Sequence, residues 1–201
     1  MMHRIQALVL GGGILAGAFS GSMALAEGPA DLVGDRAAGK QLSGQCRTCH
    51  GAQGFAQIPI APHIGGEPAR YIAAQLAAFR DGAREHEMMS IVARNLTDQQ
   101  IADLAAWYAG HQVEVTMAAD AAAAPEACVA CHGADGLHQL PEAPNLAGEA
   151  NIYIDTQLKA FRSGKRQHDI MSGIAAEMTD AEIRAVADWY AAIKLTITQV
   201  D

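Results

Sequence analysis

Cys46-Arg-Thr-Cys49-His50 returns 82 positions later (46 to 128) as Cys128-Val-Ala-Cys131-His132, and each run is followed by glycine. Two thiols one helical turn apart can add to the two vinyl groups of a haem. The next residue then sets an imidazole nitrogen on the iron, so Cys-x-x-Cys-His marks c-type haem attachment. Cys-x-x-Cys alone also fits a redox dithiol or half of a zinc site. Here the chain has four cysteines, the two motifs use all of them, and each motif brings its histidine. The pattern predicts two covalently bound haem c groups, on Cys46 and Cys49 and on Cys128 and Cys131, with His50 and His132 as iron ligands.

The same offset holds without a gap well beyond the motifs. Pro62 pairs with Pro144, Gly66 with Gly148, Tyr71 with Tyr153, Gln75 with Gln157, Phe79-Arg80 with Phe161-Arg162, and Trp107-Tyr108 with Trp189-Tyr190. Roughly half of the positions from Cys46 to Ala109 are identical to their partners. The chain therefore divides into residues 27–110 as a first domain, 111–125 as a linker and the start of the second, and 126–201 as the second. Ahead of them, Met1-Met2-His3-Arg4 is a short basic start, Ile5 to Phe19 an apolar core, and Ala24-Leu25-Ala26 a small-residue cleavage site. Residues 1–26 read as a signal peptide cut after Ala26, which exports the mature chain to the periplasm, where c-type haem is attached. The apolar run is glycine-broken and short for a span of about 20 residues.

Short helices joined by loops account for each domain, and no convincing strand stands out. Pro68 suits the first turn of a helix carrying Ile72, Leu76 and Phe79 on one face, with Gly82 as its stop. Thr97 with Gln100 makes a capping box before Ile101, Leu104, Ala105 and Tyr108; Thr179 with Glu182 repeats it before Ile183, Val186, Ala187 and Tyr190. Asp35 to Ser43 forms a helical run in the first domain, whereas its counterpart in the second is cut short at Pro125. Domains of this size lack sufficient core, which a covalently held macrocycle supplies.

In combination, these motifs resemble the class I cytochromes c, and the duplicated form is similar to the two-haem cytochrome c₄ family. The resemblance is carried by Cys-x-x-Cys-His-Gly, by Ala-Pro-His-Ile-Gly-Gly-Glu and Ala-Pro-Asn-Leu-Ala-Gly-Glu, by Tyr-Ile-x-x-Gln-Leu-x-x-Phe-Arg, by the methionine segment, and by Leu-Thr-Asp-x-x-Ile-Ala-Asp-Leu-Ala-Ala-Trp-Tyr-Ala. It implies an all-α fold of two tandem cytochrome c domains, each wrapped around a haem whose iron is held by histidine and methionine. His63 departs from the pattern, standing where Asn145 carries the family's usual asparagine.

The repeat register selects the sixth ligands. Met89 pairs with Met171, while Met88 pairs with Ile170, which cannot ligate, and Met178 pairs with Leu96 as core. His86 and His168, three residues upstream, are competing ligands; their bland reading is a surface or propionate-facing group. Thioether ligation raises the potential relative to a second histidine. By resemblance, the carbonyls of Pro62 and Pro144 accept the free Nδ1–H of His50 and His132. Arg80, Arg84, Arg162 and Arg166 are candidates for haem propionates, interdomain contacts or solvated helix ends. His63, His111 and His138 carry no assigned role.

Net charge is −8, and it is unevenly spread. Residues 34–109 carry seven basic and seven acidic side chains, whereas residues 110–201 carry six and thirteen. Nothing here would pair with phosphates, so nucleic acid is excluded as a partner. An acidic second domain, with Glu142 and Glu149 among its outward charges, would steer basic partners. The family resemblance implies a non-enzymatic electron carrier between a quinol-oxidising complex and a terminal haem–copper oxidase, compatible with a peripheral membrane association. The alternative is a haem subunit of a dehydrogenase, such as a sulfide-oxidising flavocytochrome. A two-haem peroxidase would need an accessible sixth site, and both repeats offer methionine there.

Overall fold

The computed structural model describes residues 28–117 and 121–200; the signal segment and its cut after Ala26 lie outside the described residues. In the first domain, α1 (Arg36–Leu42) and a 3₁₀ turn lead into α2 (Arg47–His50), then α3 (Ala69–Asp81), α4 (Met89–Ala93) and α5 (Asp98–Ala109). The strand β1 (His111–Thr116) follows. The second domain runs α6 (Glu126–His132), α7 (Asn151–Arg162), α8 (Met171–Ala176) and α9 (Asp180–Ala191), and closes on β2 (Lys194–Gln199).

Both expected capping boxes form. The Thr97 hydroxyl accepts from the Gln100 amide while the Gln100 side chain accepts from the Thr97 amide, and Thr179 and Glu182 do the same. Each box fixes where its C-terminal helix starts, and so which face that helix buries. In the first domain Ile72 and Phe79 of α3 pack on Ile101, Leu104 and Tyr108 of α5. In the second, Ile154 and Leu158 of α7 pack on Ile183 and Tyr190 of α9.

The helix α1 has no helical counterpart among the described residues of the second domain, where only the short turn Ala121–Ala123 precedes α6. The reason lies in what α1 rests on. Its cap residue Asp35 donates its amide to the buried carboxylate of Asp103, 2.8 Å away, and Gln99 holds the same oxygen. Gly39 lets the two helices touch, since a Cβ there would lie 2.0 Å from the Asp103 carbonyl oxygen. The positions matching Gln99, Ala102, Asp103 and Ala106 are Ala181, Arg184, Ala185 and Asp188, all exposed. The anchor is gone, and two charged side chains solvate the face it served.

The two strands correct the strand-free reading. They pair antiparallel from His111 with Gln199 to Thr116 with Lys194, so the stretch read as linker carries an ordered strand. The sheet lies at the domain junction. Gly66 has φ 75° and Gly148 φ 69°; a Cβ there would meet Val113 Cγ2 at 1.9 Å and Leu195 Cβ at 2.6 Å respectively. Only glycine suits both the left-handed backbone and the missing space.

Candidate haem sites and the seam between the domains

Each Cys-x-x-Cys-His motif is one helical turn that ends at a glycine. The amide of His50 donates to the Cys46 carbonyl at 3.0 Å, and Gly51 follows at φ 76°; Gly133 repeats this turn-ending geometry. Both histidines are buried, and their Nδ1 atoms lie 2.9 Å from the Pro62 carbonyl and 2.8 Å from the Pro144 carbonyl. A carbonyl can only accept, so Nδ1 carries the proton and Nε2 is the free donor atom. Burial pushes both imidazoles below their usual pKa, against the opposing pull of those carbonyls. The rings are thus held neutral and aimed, which is the state a metal ligand needs.

No disulfide joins any two of the four cysteines, and Cys46 and Cys128 are both half-buried. Among the described residues, no group of three or more His, Cys, Asp or Glu could hold a metal ion on its own. Covalent haem fits the donor set. Tyr108 packs with Cys46, and Tyr190 with Cys128, yet both buried hydroxyls lack a partner of ordinary geometry, as do the indole nitrogens of Trp107 and Trp189. Orphaned polar atoms at matched positions in both domains are the mark of a wall built to face another group.

The methionine segments pack on the same two cores. Met89 packs against the first core and Met171 against the second, whereas Met88 is 58% exposed and Ile170 55%. Met178 lies in the second core, as its register implies. His86 and His168 are exposed.

The arginines divide by role. Arg80 pairs with Asp81 and Asp98, and Arg162 with Asp180. Arg84 and Arg166 cross the seam. Arg84 holds Gln75 at 2.6 Å and Gln157 at 2.8 Å, while Arg166 holds Gln157 at 2.8 Å and Gln75 at 2.9 Å. Each guanidinium also lies over a phenylalanine of its own domain, Phe79 or Phe161.

A second crossed pair was not foreseen. Glu149 accepts the His63 amide at 2.6 Å, and Glu67 accepts the Asn145 amide at 3.0 Å. His63 returns an Nε2–H to the Gly148 carbonyl, and Asn145 an Nδ2–H to the Gly66 carbonyl, both at 3.0 Å. Both carboxyls are almost fully buried; burial raises Glu67 well above the carboxylate range and Glu149 to about 8. Glu149 is therefore no surface charge, and Glu142 lies beside Arg70 of the first domain at 3.5 Å; both acids belong to the seam. The repeated Gly-Glu and the Pro-His/Pro-Asn exchange were the available signals. Each clasped residue directly follows the proline that orients a haem-motif histidine. His138 completes the second loop, its ring 2.8 Å from Asn145 Oδ1, and His111 is buried against the Trp107 and Tyr108 carbonyls.

The Cytochrome c family model matches the chain twice, over residues 36–110 and 118–193. Cytochrome c4 of Pseudomonas aeruginosa is 33% identical over 81% of this chain and 90% of its own length. The chain belongs to the cytochrome c₄ family. It is also similar to a thiosulfate dehydrogenase electron acceptor of Thiomonas intermedia, 35% identical over 81% of this chain and 85% of that one. Crystalline reduced cytochrome c4 from Pseudomonas stutzeri superposes with a TM-score of 0.71 at 28% identity, covering 81% of this chain and all of that one. As a cytochrome c₄-type chain it carries two covalent haem c groups in tandem domains and serves as an electron carrier; the small sheet accompanies a mostly helical fold.

Proposed function

We infer that this cytochrome works in the periplasm, taking electrons from a quinol-oxidising complex and passing them to a terminal haem–copper oxidase. Residues 1–26 serve as its cleaved signal; 27–110 and 126–201 form the two haem domains, with 111–125 between them. His50 and His132 are the fifth ligands, and Met89 and Met171 the sixth. The committed Nδ1 atoms, the inward packing of Met89 and Met171, and the outward Met88 and Ile170 support this assignment. Pro62 and Pro144 hold the rings and raise their basicity. Bound haem c supplies a one-electron ferric–ferrous couple, and methionine ligation places it at high potential.

The single observation that carries the relay reading is the seam. Buried hydrogen bonds run both ways across it, from Glu149 to His63 and from Glu67 to Asn145. Domains so joined hold their haem slots at a fixed separation, as passage of an electron from one to the other requires. A second reading has its own support: the resemblance to a thiosulfate dehydrogenase electron acceptor makes a sulfur-compound dehydrogenase an alternative donor. Stopped-flow mixing of the ferric protein with each donor separates them. Rapid reduction by the quinol complex and oxidation by a haem–copper oxidase is expected. Reduction only by thiosulfate with its dehydrogenase would assign the second role.

A further inference from the structure

Three residues before each inward methionine stands a histidine, His86 before Met89 and His168 before Met171. Both rings are exposed, so neither is kept for the core it fills. Each instead gathers backbone. His86 Nδ1 accepts the amides of Met88 and Met89 at 3.3 and 3.4 Å, and His168 Nδ1 those of Ile170 and Met171 at 3.2 and 3.3 Å. The bond is returned four residues on, where Ser90 Oγ accepts the His86 amide at 3.1 Å and Ser172 Oγ the His168 amide at 3.0 Å. This reciprocity is that of a capping box, with imidazole in place of the usual hydroxyl. The edges of Phe79 and Phe161 fix the rings, at centroid distances of 6.4 and 6.3 Å.

The turns so held lead straight into α4 and α8, five and six residues long, whose own cap positions, Met88 and Ile170, make no side-chain cap bond. Helices this short do not hold their own first turn, and in each the first residue is the methionine. We propose that His86 and His168 are positioning residues: each pins the backbone of its methionine, keeping the thioether turned into the haem slot. This rests on Met89 and Met171 being the sixth ligands. A loosened segment leaves the sulfur free to depart, and an outside ligand then competes more easily for the iron.

The test uses the ferric two-haem protein with His86→Leu, His86→Asn, Ser90→Ala and Met89→Ala, and free imidazole as the competing ligand. Leucine cannot accept the two amides, whereas an asparagine oxygen can from the same position. A lost cap of ordinary strength corresponds to about a fivefold change in equilibrium. Expected, then, is that half of the near-infrared iron–thioether band in H86L is displaced at about fivefold lower imidazole. H86N should return to wild type, and Ser90→Ala should shift in the same direction. Unchanged displacement in H86L, or an equal change in H86N, overturns the positioning role. Survival of the whole band in Met89→Ala would instead overturn the ligand assignment, whatever the His86 variants do.

Discussion

The carboxyl of Glu149 is the most exacting place to perturb the seam. It is 3% exposed, its Oε1 accepts the His63 amide, and its Oε2 finds no partner among the described residues. Glu67 and Tyr153 lie beside it, with Arg84 and Arg166 beyond Tyr153. Burial is the dominant cause of its rise to about 8 from an ordinary 4.5. The folded value lies above the unfolded one, so its contribution to stability is full below about 4.5 and is lost as pH climbs through about 8. The histidines with lowered values titrate below neutrality, which leaves pH 7 to 9 as a clean window. Over that window one such carboxyl removes about 1.4 kcal/mol of stability. Glutamine keeps the accepting oxygen and cannot ionise. Guanidinium unfolding of the holoprotein at pH 7 and pH 9 should show wild type losing about 1.4 kcal/mol more than E149Q. What remains of the slope in E149Q belongs to Glu67, also raised by burial. Equal slopes in the two proteins would show that Glu149 is already ionised in the folded state, and the argument from burial would fail.

Changing Cys128 and Cys131 together to alanine should leave a chain whose mass, after denaturation, retains one haem instead of two. Met89→Ala and Met171→Ala should each abolish half of the near-infrared thioether band and lower the potential of their own haem, while Met88→Ala leaves both untouched. Seven basic against seven acidic residues in 34–109, and six against thirteen in 110–201, predict that one half-reaction, donor or acceptor, slows steeply with salt while the other barely responds. Lysine at the exposed Glu126, Asp169 and Glu177 should flatten the steep one in stopped-flow measurements.

The haem turns, the C-terminal helices and the methionine register were legible because each rests on local spacing. Cys46 to His50 is one turn, Thr97 to Gln100 one capping box, and Met89 against Met171 one fixed offset. The sheet was not legible. Val113, Val115, Leu195 and Ile197 alternate as strand residues do, but six-residue strands some eighty positions apart show no pairing in a linear reading. The seam was hidden for a related reason. An acidic residue reads as solvated by default, and nothing local to Glu149 announces that His63, 86 positions away, will donate to it.

Where the two halves of the repeat agree and where they differ follows from those same forces. What faces a haem slot is shared: the motif turn, the proline carbonyl, the inward methionine and its capping histidine. What differs lies on surfaces used once. The first domain keeps Gln99 and Asp103 under α1, and the second places Ala181 and Ala185 there, so among the described residues the helix appears in the first domain alone. The exchange of His63 for Asn145 lies next to the proline carbonyl that holds each haem-motif histidine. The Asn145 amide donates to the other domain as the His63 ring does, and its Oδ1 accepts the His138 amide at 2.9 Å just as His63 Nδ1 accepts the matching Ala56 amide; only the imidazole stacks on Phe55, at 4.3 Å. Pro62, next to it, is therefore tied to both domains beside a ring with both nitrogens engaged, and Pro144 beside an amide whose oxygen also meets the His138 ring. The exchange thus keeps both anchors of the loop that presents each proline carbonyl to its histidine, and changes only the ring packed on one of them.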